Sequence, residues 1–429
     1  MSLLRCAACH EVLAIDTPLP WRCPHEHGDR HHVLLLETSP NTVGDDIARE
    51  IESDQNPFVR YAPRLAWWDF VHAHGWSDAQ AVDALRLTDE KVAAVAGTGF
   101  RITPLTEEIA LSSAIGVKGR VFAKNESGNV AGSHKARHLH SILLHLLAAE
   151  ALGLVPWRGP ADRPSLAISS CGNAAIAAAT LAAAVKWPID VFIPEWAGGV
   201  VVDTLNSLSA RVTRCPRLDS DPPGDPTVHR FRTAVAAGSI PFSVQGPENA
   251  LCLDGGRTIG WEAAEQLRDR GVSSLAGVYA QVGGGAFAAS LSRGLGEGGV
   301  SAPLVAVQTA GCAPLARAWS LANDSSQGWA TDWTNFMWPW EQEPVSLADG
   351  ILDDETYDWV ADFTELRRTH GRVVVAPEAD VIAASSLVPQ ATGVSASPTG
   401  TAGVAGLITD TRGRGGVGDV LVVLSGILR

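Results

Sequence analysis

A chain of 429 residues, 46% of them hydrophobic, can bury a core in each of two or three domains, which excludes a disordered polypeptide. Its formal net charge of −14 argues against a duplex-binding surface, because nucleic-acid affinity rests mainly on Lys and Arg neutralising phosphates. The opening MSLLRCAACHEV lacks a charged segment followed by a long apolar one, and the most apolar window, residues 166–185, is Ala-rich and interrupted by Ser, Cys, Gly and Asn. Neither a signal peptide nor a membrane span is expected. Seven cysteines, an odd number in so long a chain, point to a reducing, cytoplasmic compartment.

In chain order, residues 1–37 come first. Cys6 and Cys9 form a CxxC pair, and Cys23 is followed by His25 and His27 in CPHEH. Three thiols and one imidazole suit a tetrahedral zinc, so Cys6, Cys9, Cys23 and His27 are the expected ligands, with His25 the alternative to His27. The spacing resembles a zinc ribbon whose second CPxC knuckle has lost its last cysteine; the competing reading is a ribbon held by packing alone. Residues 38–95 carry helical patterns such as NPFVRYAPRLAWW and DAQAVDALRLTDEKVAAVAG, and are expected to form a helical connector.

From residue 96 to 429 short apolar runs alternate with Ala- and Leu-rich helical patterns: SLAISS then NAAIAAATLAAAV, PIDVFIP then VVDTLNSLSA, LAGVYAQVGGG then AFAASLSRGLGE, and finally GDVLVVLSG. Buried strands followed by helices at these intervals predict an α/β fold with mostly parallel sheets, in which ligands sit beyond the carboxyl ends of strands. Residues 319–340 hold five tryptophans with little periodicity, a pattern that fits an aromatic wall, a lid, or a surface or subunit contact.

The chemistry gathers in the loops. Lys135, in KNESGNVAGSHKAR, falls at the start of a helical pattern, where a cation opposes the helix dipole. Ser169, Ser170, Cys171, Gly172 and Asn173 follow a strand and open a helix, an arrangement suited to a carboxylate. Gly283, Gly284, Gly285 and Ala286 have the same layout and suit a phosphate, without the GxGxxG spacing of a dinucleotide site or the Lys-Ser/Thr pair of a P-loop. A lysine, a phosphate cradle and an anion loop are what pyridoxal 5'-phosphate requires.

These residues resemble the tryptophan-synthase-β superfamily of pyridoxal-phosphate enzymes, fold type II, and within it the threonine-synthase-like branch. The family order is TPL, K-x-E-x-x-N-P-T-G-S-F-K-x-R, a Ser/Thr-Gly-Asn loop, EGxKT, a glycine loop and a terminal Ser/Thr-Gly. Here it reads Thr103-Pro104-Leu105; Lys124, Glu126, Asn129, Gly132, Ser133, Lys135 and Arg137; Ser170 with Gly172-Asn173; DGGRT at 254–258; Gly283 to Gly285; and Ser425-Gly426. The resemblance covers about residues 96–429 and implies two α/β subdomains with the cofactor between them. It also implies that Lys135 bonds the cofactor aldehyde, Asn173 its ring oxygen, Gly283 to Ala286 its phosphate and Ser425 its pyridine nitrogen, while residues 169–173 take the substrate carboxylate. A hydroxyl at the ring nitrogen makes a milder electron sink than a carboxylate, favouring elimination and replacement over transamination.

The chain departs from the pattern at Val130-Ala131, Ala136 and DGGRT, changes expected to surround the substrate, and at His134, which replaces the usual Phe next to cofactor or substrate. Threonine synthesis is the leading single expectation, with two alternatives: a serine/threonine dehydratase-like β-elimination, and a β-replacement of the cysteate or cysteine synthase type. The expected substrate is a small amino acid with a leaving group on its β- or γ-carbon, handled by a homodimer without nucleic-acid or membrane partners. A scaffold whose ribbon binds a partner is the non-enzymatic alternative.

Overall fold

The computed structural model describes residues 2–26, 32–38, 41–323, 329–414 and 417–429. The strands are β1 (Leu3–Cys6), β2 (Val12–Ala14), β3 (Leu34–Glu37), β4 (Leu105–Glu107), β5 (Val121–Asn125), β6 (Leu166–Ser169) and β7 (Ile189–Pro194). They continue with β8 (Arg211–Cys215), β9 (Ile240–Pro241), β10 (Gly277–Gln281), β11 (Leu304–Thr309), β12 (Arg372–Ala376) and β13 (Val420–Leu424). The chain divides into two compact units: Met1–Ile102 with Asn129–Ala131 and Lys135–Gly255, and Thr103–Gly128 with Gly132–His134 and Gly256–Arg429.

The first unit holds two sheets. A three-stranded antiparallel one, ordered β2-β1-β3, occupies the N-terminal segment, and a four-stranded parallel one runs β8-β7-β6-β9. Over residues 38–95 short helices lead to Asp78–Ala96, which starts in a reciprocal Ser77–Gln80 capping box and stops at Gly97 with φ +74°, the left-handed turn glycine adopts without strain. The helix Asn173–Ala184 is apolar on every side, and residues 174–182 are all buried, as a core helix must be.

The second unit is built on a six-stranded sheet ordered β12-β11-β10-β13-β5-β4, parallel except for the antiparallel edge strand β4. The central strand β13, VLVVL, is buried along its whole length, each branched side chain contributing about 1.5–3 kcal/mol of transfer free energy. The expected α/β class with parallel sheets is thus present in both units. Of the tryptophans of 319–340, Trp329 and Trp333 join Phe336 around Trp359 of this unit, with ring centroids 5.6–6.1 Å apart. Residues 324–328 of that segment lie outside the described residues. No helix among the described residues is long and apolar enough to cross a membrane.

Candidate functional site

In the first unit, Lys135 opens the helix Lys135–Ala151, and all but four of that helix's residues are buried. The chain reaches it through Ala131, whose φ of +54° is left-handed and strained for a residue with a Cβ. One turn on, burial and the charge of Lys135 push His138 down to about 3, so its ring is neutral and Nδ1 donates to the carbonyl of Cys252 at 2.9 Å. Lys135 therefore shares its end of the helix with an uncharged imidazole.

The anion loop follows β6. Ser169 is tied by its hydroxyl to that of Thr227 at 2.6 Å, and the Ser170 N–H donates to Phe192 O on the neighbouring strand. Gly172 is the residue that caps the following helix, and it does so without a side chain. Asn173 stands at the first helical position, one residue past that cap.

In the second unit, the glycine loop leaves β10 and enters the helix Ala286–Glu297. A Cβ on Gly283 would lie 2.4 Å from a carboxylate oxygen of Asp353, and one on Gly285, whose φ is +103°, 2.4 Å from Asp362. Only glycine fits either position. Among the described residues the N–H groups of Gly283, Gly284 and Gly285 meet no acceptor within the protein, so three donors at a helix N-terminus stay available to an anion.

Gln281, the last residue of β10, brings this loop and Ser425 together: its Nε2 donates to Ser425 Oγ at 2.5 Å. The same nitrogen lies 3.2–3.4 Å from the carbonyls of Thr399, Gly400 and Val423, which fixes the amide orientation, since reversing it would set oxygen against oxygen. Ser425 Oγ is therefore an acceptor here, and its own proton meets no acceptor among the described residues. That hydroxyl suits an unprotonated ring nitrogen. The buried carbonyl of Gln281 itself stays unpaired. Free loop donors, positions that exclude a Cβ and an uncommitted hydroxyl all fit a phosphorylated pyridine cofactor.

The motif DGGRT, expected around the substrate, is engaged in the framework of each unit. In the first, a carboxylate oxygen of Asp254 accepts from the N–H groups of Ala66 and Trp67 at 2.9 and 3.4 Å, holding the start of the helix Ala66–Ala73. In the second, buried Arg257 meets both oxygens of Glu297 at 3.2 Å and lies over the Trp261 ring. Lys124, of the K-x-E motif, is fully buried against Glu262 at 2.6 Å and also donates to Thr103 O and Gln266.

Of the expected metal ligands, Cys6, Cys9 and Cys23 converge, joined by His32, which the spacing argument passed over. His27 lies outside the described residues. His25 Nδ1 is 3.6 Å from Cys9 Sγ and 3.9 Å from Glu11. Gln281 also escaped the sequence reading, although a lone amide ending the apolar run GVYAQ was a visible signal.

Comparison with known proteins identifies a family. Residues 97–426 match the family described as "Pyridoxal-phosphate dependent enzyme". Two curated relatives, both "Serine dehydratase-like", from Rattus norvegicus and Mus musculus, are 30% and 31% identical over 212 residues; the match covers 49% of this chain and 57% of each relative, little more than half their length. Among solved structures, maize serine racemase aligns with a TM-score of 0.58 at 16% identity over 80% of this chain and 92% of its own. Threonine deaminase isoform 2 from Solanum lycopersicum also gives 0.58, at 17% identity over 81% and 85%. O-ureido-L-serine synthase gives 0.55 at 18% identity over 79% and 91%, and at these identities all three speak for the fold alone. With 330 of its residues inside the family match, and a lysine, glycine loop and terminal serine suited to that cofactor, the chain belongs to the pyridoxal-phosphate dependent enzymes.

Proposed function

We propose that this enzyme catalyses α,β-elimination from a small hydroxy-amino acid of the serine or threonine kind, releasing a 2-oxo acid and ammonia. The observation that carries the reading is the Gln281–Ser425 pair: Gln281 donates to Ser425 Oγ, which leaves the proton of a neutral hydroxyl, in place of a carboxylate, available to a ligand. When bound, the cofactor supplies a conjugated ring that spreads the charge left by loss of the substrate α-proton, and a ring nitrogen facing a hydroxyl stays a mild sink, which favours elimination over transamination.

The chain's own residues do the rest. Lys135 would hold the cofactor, and its amine would move the proton at the substrate α-carbon. Asn173 bonds the cofactor's ring oxygen, the N–H groups of Gly283 to Ala286 take its phosphate, and Ser169 to Asn173 orient the substrate carboxylate. For serine, the α-proton and the β-hydroxyl would leave as water, and hydrolysis that returns this water would give pyruvate and ammonia. The curated relatives' name and the commitment of Arg257 to Glu297 both support a substrate without a phosphate of its own.

The test is to offer the enzyme, supplied with cofactor, L-serine, L-threonine, O-phosphoserine and O-phosphohomoserine, following 2-oxo acid, ammonia and phosphate. Oxo acid from serine or threonine is expected. Threonine and phosphate from O-phosphohomoserine, with no oxo acid, would replace the reading by threonine synthesis. Lys135→Ala should lower turnover by about 10²–10⁴-fold or more, and after borohydride treatment should carry no pyridoxyl adduct at position 135.

A further inference from the structure

The N-terminal segment carries a second site, independent of the catalytic reading. Ligand atoms of Cys6, Cys9, Cys23 and His32 all lie within 4.8 Å of one another. With metal–ligand bonds of about 2.3 Å to sulfur and about 2.0–2.1 Å to nitrogen, a tetrahedral zinc spaces its ligands about 3.8 Å apart sulfur to sulfur and about 3.6 Å sulfur to nitrogen. Here Cys9 Sγ and Cys23 Sγ are 3.7 Å apart, and Cys6 Sγ and His32 Nδ1 3.5 Å. These are tetrahedral edges; a disulfide would need about 2.05 Å.

The surroundings are those of a metal knuckle. Cys6 ends β1 and Cys9 lies in the turn to β2, where the Cys9 N–H points at Cys6 Sγ from 3.5 Å, the outer-shell bond that steadies a thiolate ligand. His10 completes the turn at φ +63°, and His32 precedes β3, the strand that pairs with β1. One end of the sheet, where Cys6 pairs with Leu34, thus delivers three of the four ligands, and Cys23 arrives from the loop between β2 and β3. His25 reaches only Cys9 and leans toward Glu11, so it stands outside the set.

The Cys23 loop also leads inward within the same unit. Trp21 O accepts from the N–H of Ala250 at 3.3 Å, and the Arg22 guanidinium pairs with the buried carboxylate of Glu248, which Arg232 holds from the other side at 2.7 Å. Just after Ala250, the carbonyls of Leu251 and Cys252 receive Ser141 and His138 of the helix that Lys135 opens, at 2.8 and 2.9 Å. We propose that Cys6, Cys9, Cys23 and His32 bind a structural zinc ion, and that this ion anchors residues 248–252 beneath the Lys135 helix.

The test uses the full chain purified under reducing conditions. Metal analysis should find about one zinc per chain, and Co²⁺ substitution should give the intense visible bands of a tetrahedral, sulfur-rich site. His25→Ala should leave both unchanged, while His32→Ala should lower zinc affinity at least about tenfold. His32→Cys should retain the metal and alter the Co²⁺ spectrum, which separates a lost ligand from a misfolded chain. Stripping zinc with a chelator should speed amide hydrogen exchange at 248–252. A metal-free wild type that takes up no Co²⁺, a Cys9–Cys23 disulfide under these conditions, or metal loss in His25→Ala but not in His32→Ala overturns the site. Unchanged exchange at 248–252 in the stripped protein overturns the anchoring.

Discussion

At Gln281 one amide nitrogen holds the hydroxyl of Ser425 and three carbonyls, while the amide oxygen stays buried and unpaired. Gln281→Leu removes the donor and the orphan together, so the serine proton loses its fixed direction. We expect kcat to fall about tenfold, the equivalent of about 1.4 kcal/mol, with KM and cofactor content unchanged; steady-state kinetics beside cofactor titration checks this, and a parallel loss of bound cofactor would mean a structural role instead. His140 is a different kind of residue. Both its ring nitrogens are unpartnered, and Phe58 and Phe100 pack on its ring at 4.5 and 4.4 Å, so it behaves as an aromatic wedge that carries an unmet polar demand. His140→Phe keeps the ring shape and should stabilise the fold by about 1–3 kcal/mol at neutral pH, read from denaturant midpoints.

Among the elements, the contact between β5 and the helix Cys252–Arg268 in the second unit rests on a buried ion pair. Lys124 and Glu262 are both fully enclosed, and the ammonium group finds partners in Glu262, Thr103 O and Gln266. Their mutual attraction barely offsets desolvation, but removing one partner strands the other in the interior. Lys124→Met should therefore cost about 3–5 kcal/mol in chemical denaturation, whereas Lys124→Met with Glu262→Leu should recover most of the loss. A failure of the double variant to recover would show that Thr103 and Gln266, rather than the charge pair, hold the strand to the helix. The start of that helix, which lies in the first unit, explains a glycine of DGGRT: a Cβ on Gly255 would meet the carbonyl oxygen of Arg137 at 2.0 Å, so there the chain meets the Lys135 helix through bare backbone. In the structure Asp254, Gly255 and Arg257 of this motif take part in helix packing and in holding a helix start.

Across the whole molecule, buried titratable groups set opposing pH dependences. Burial pushes His138 and His140 down to about 3 and His145 to about 4, so the folded chain keeps them neutral where the unfolded chain, near the ordinary 6.5, takes up protons. Stability should thus decline as pH falls from about 6.5 toward 4, and His140→Phe should flatten that limb. Asp362 acts with the opposite sign. Its buried carboxyl, beside Asp358 and Glu365, is raised well above the usual carboxylate range, so the folded chain holds a proton that the unfolded chain has released, and stability is lost as pH rises from about 4 through that raised value. Asp362→Asn should raise the thermal midpoint at pH 7 and leave it nearly unchanged at pH 4; equal shifts at both would remove the titration from the explanation.

What the sequence determined by itself is local. Runs such as VLVVL and IDVFIP specify buried strands, the glycine loop after β10 specifies a helix N-terminus open to an anion, and Lys135 stands at the head of its helix, because each follows from periodicity and from the backbone freedom of neighbouring residues. Those features sufficed for the α/β class and for the cofactor. The tertiary structure alone decided which distant groups meet. Gln281 and Ser425 are 144 positions apart, Lys124 and Glu262 138, and His32 reaches Cys6 across 26 positions, past His25, which reaches only Cys9. Strand order belongs to the same category: β5 pairs with β13 from the far end of the chain. Spacing along the chain cannot select among several histidines, or between a substrate-binding and a packing arginine. That selection depends on long-range register and on which polar groups burial forces into partnership.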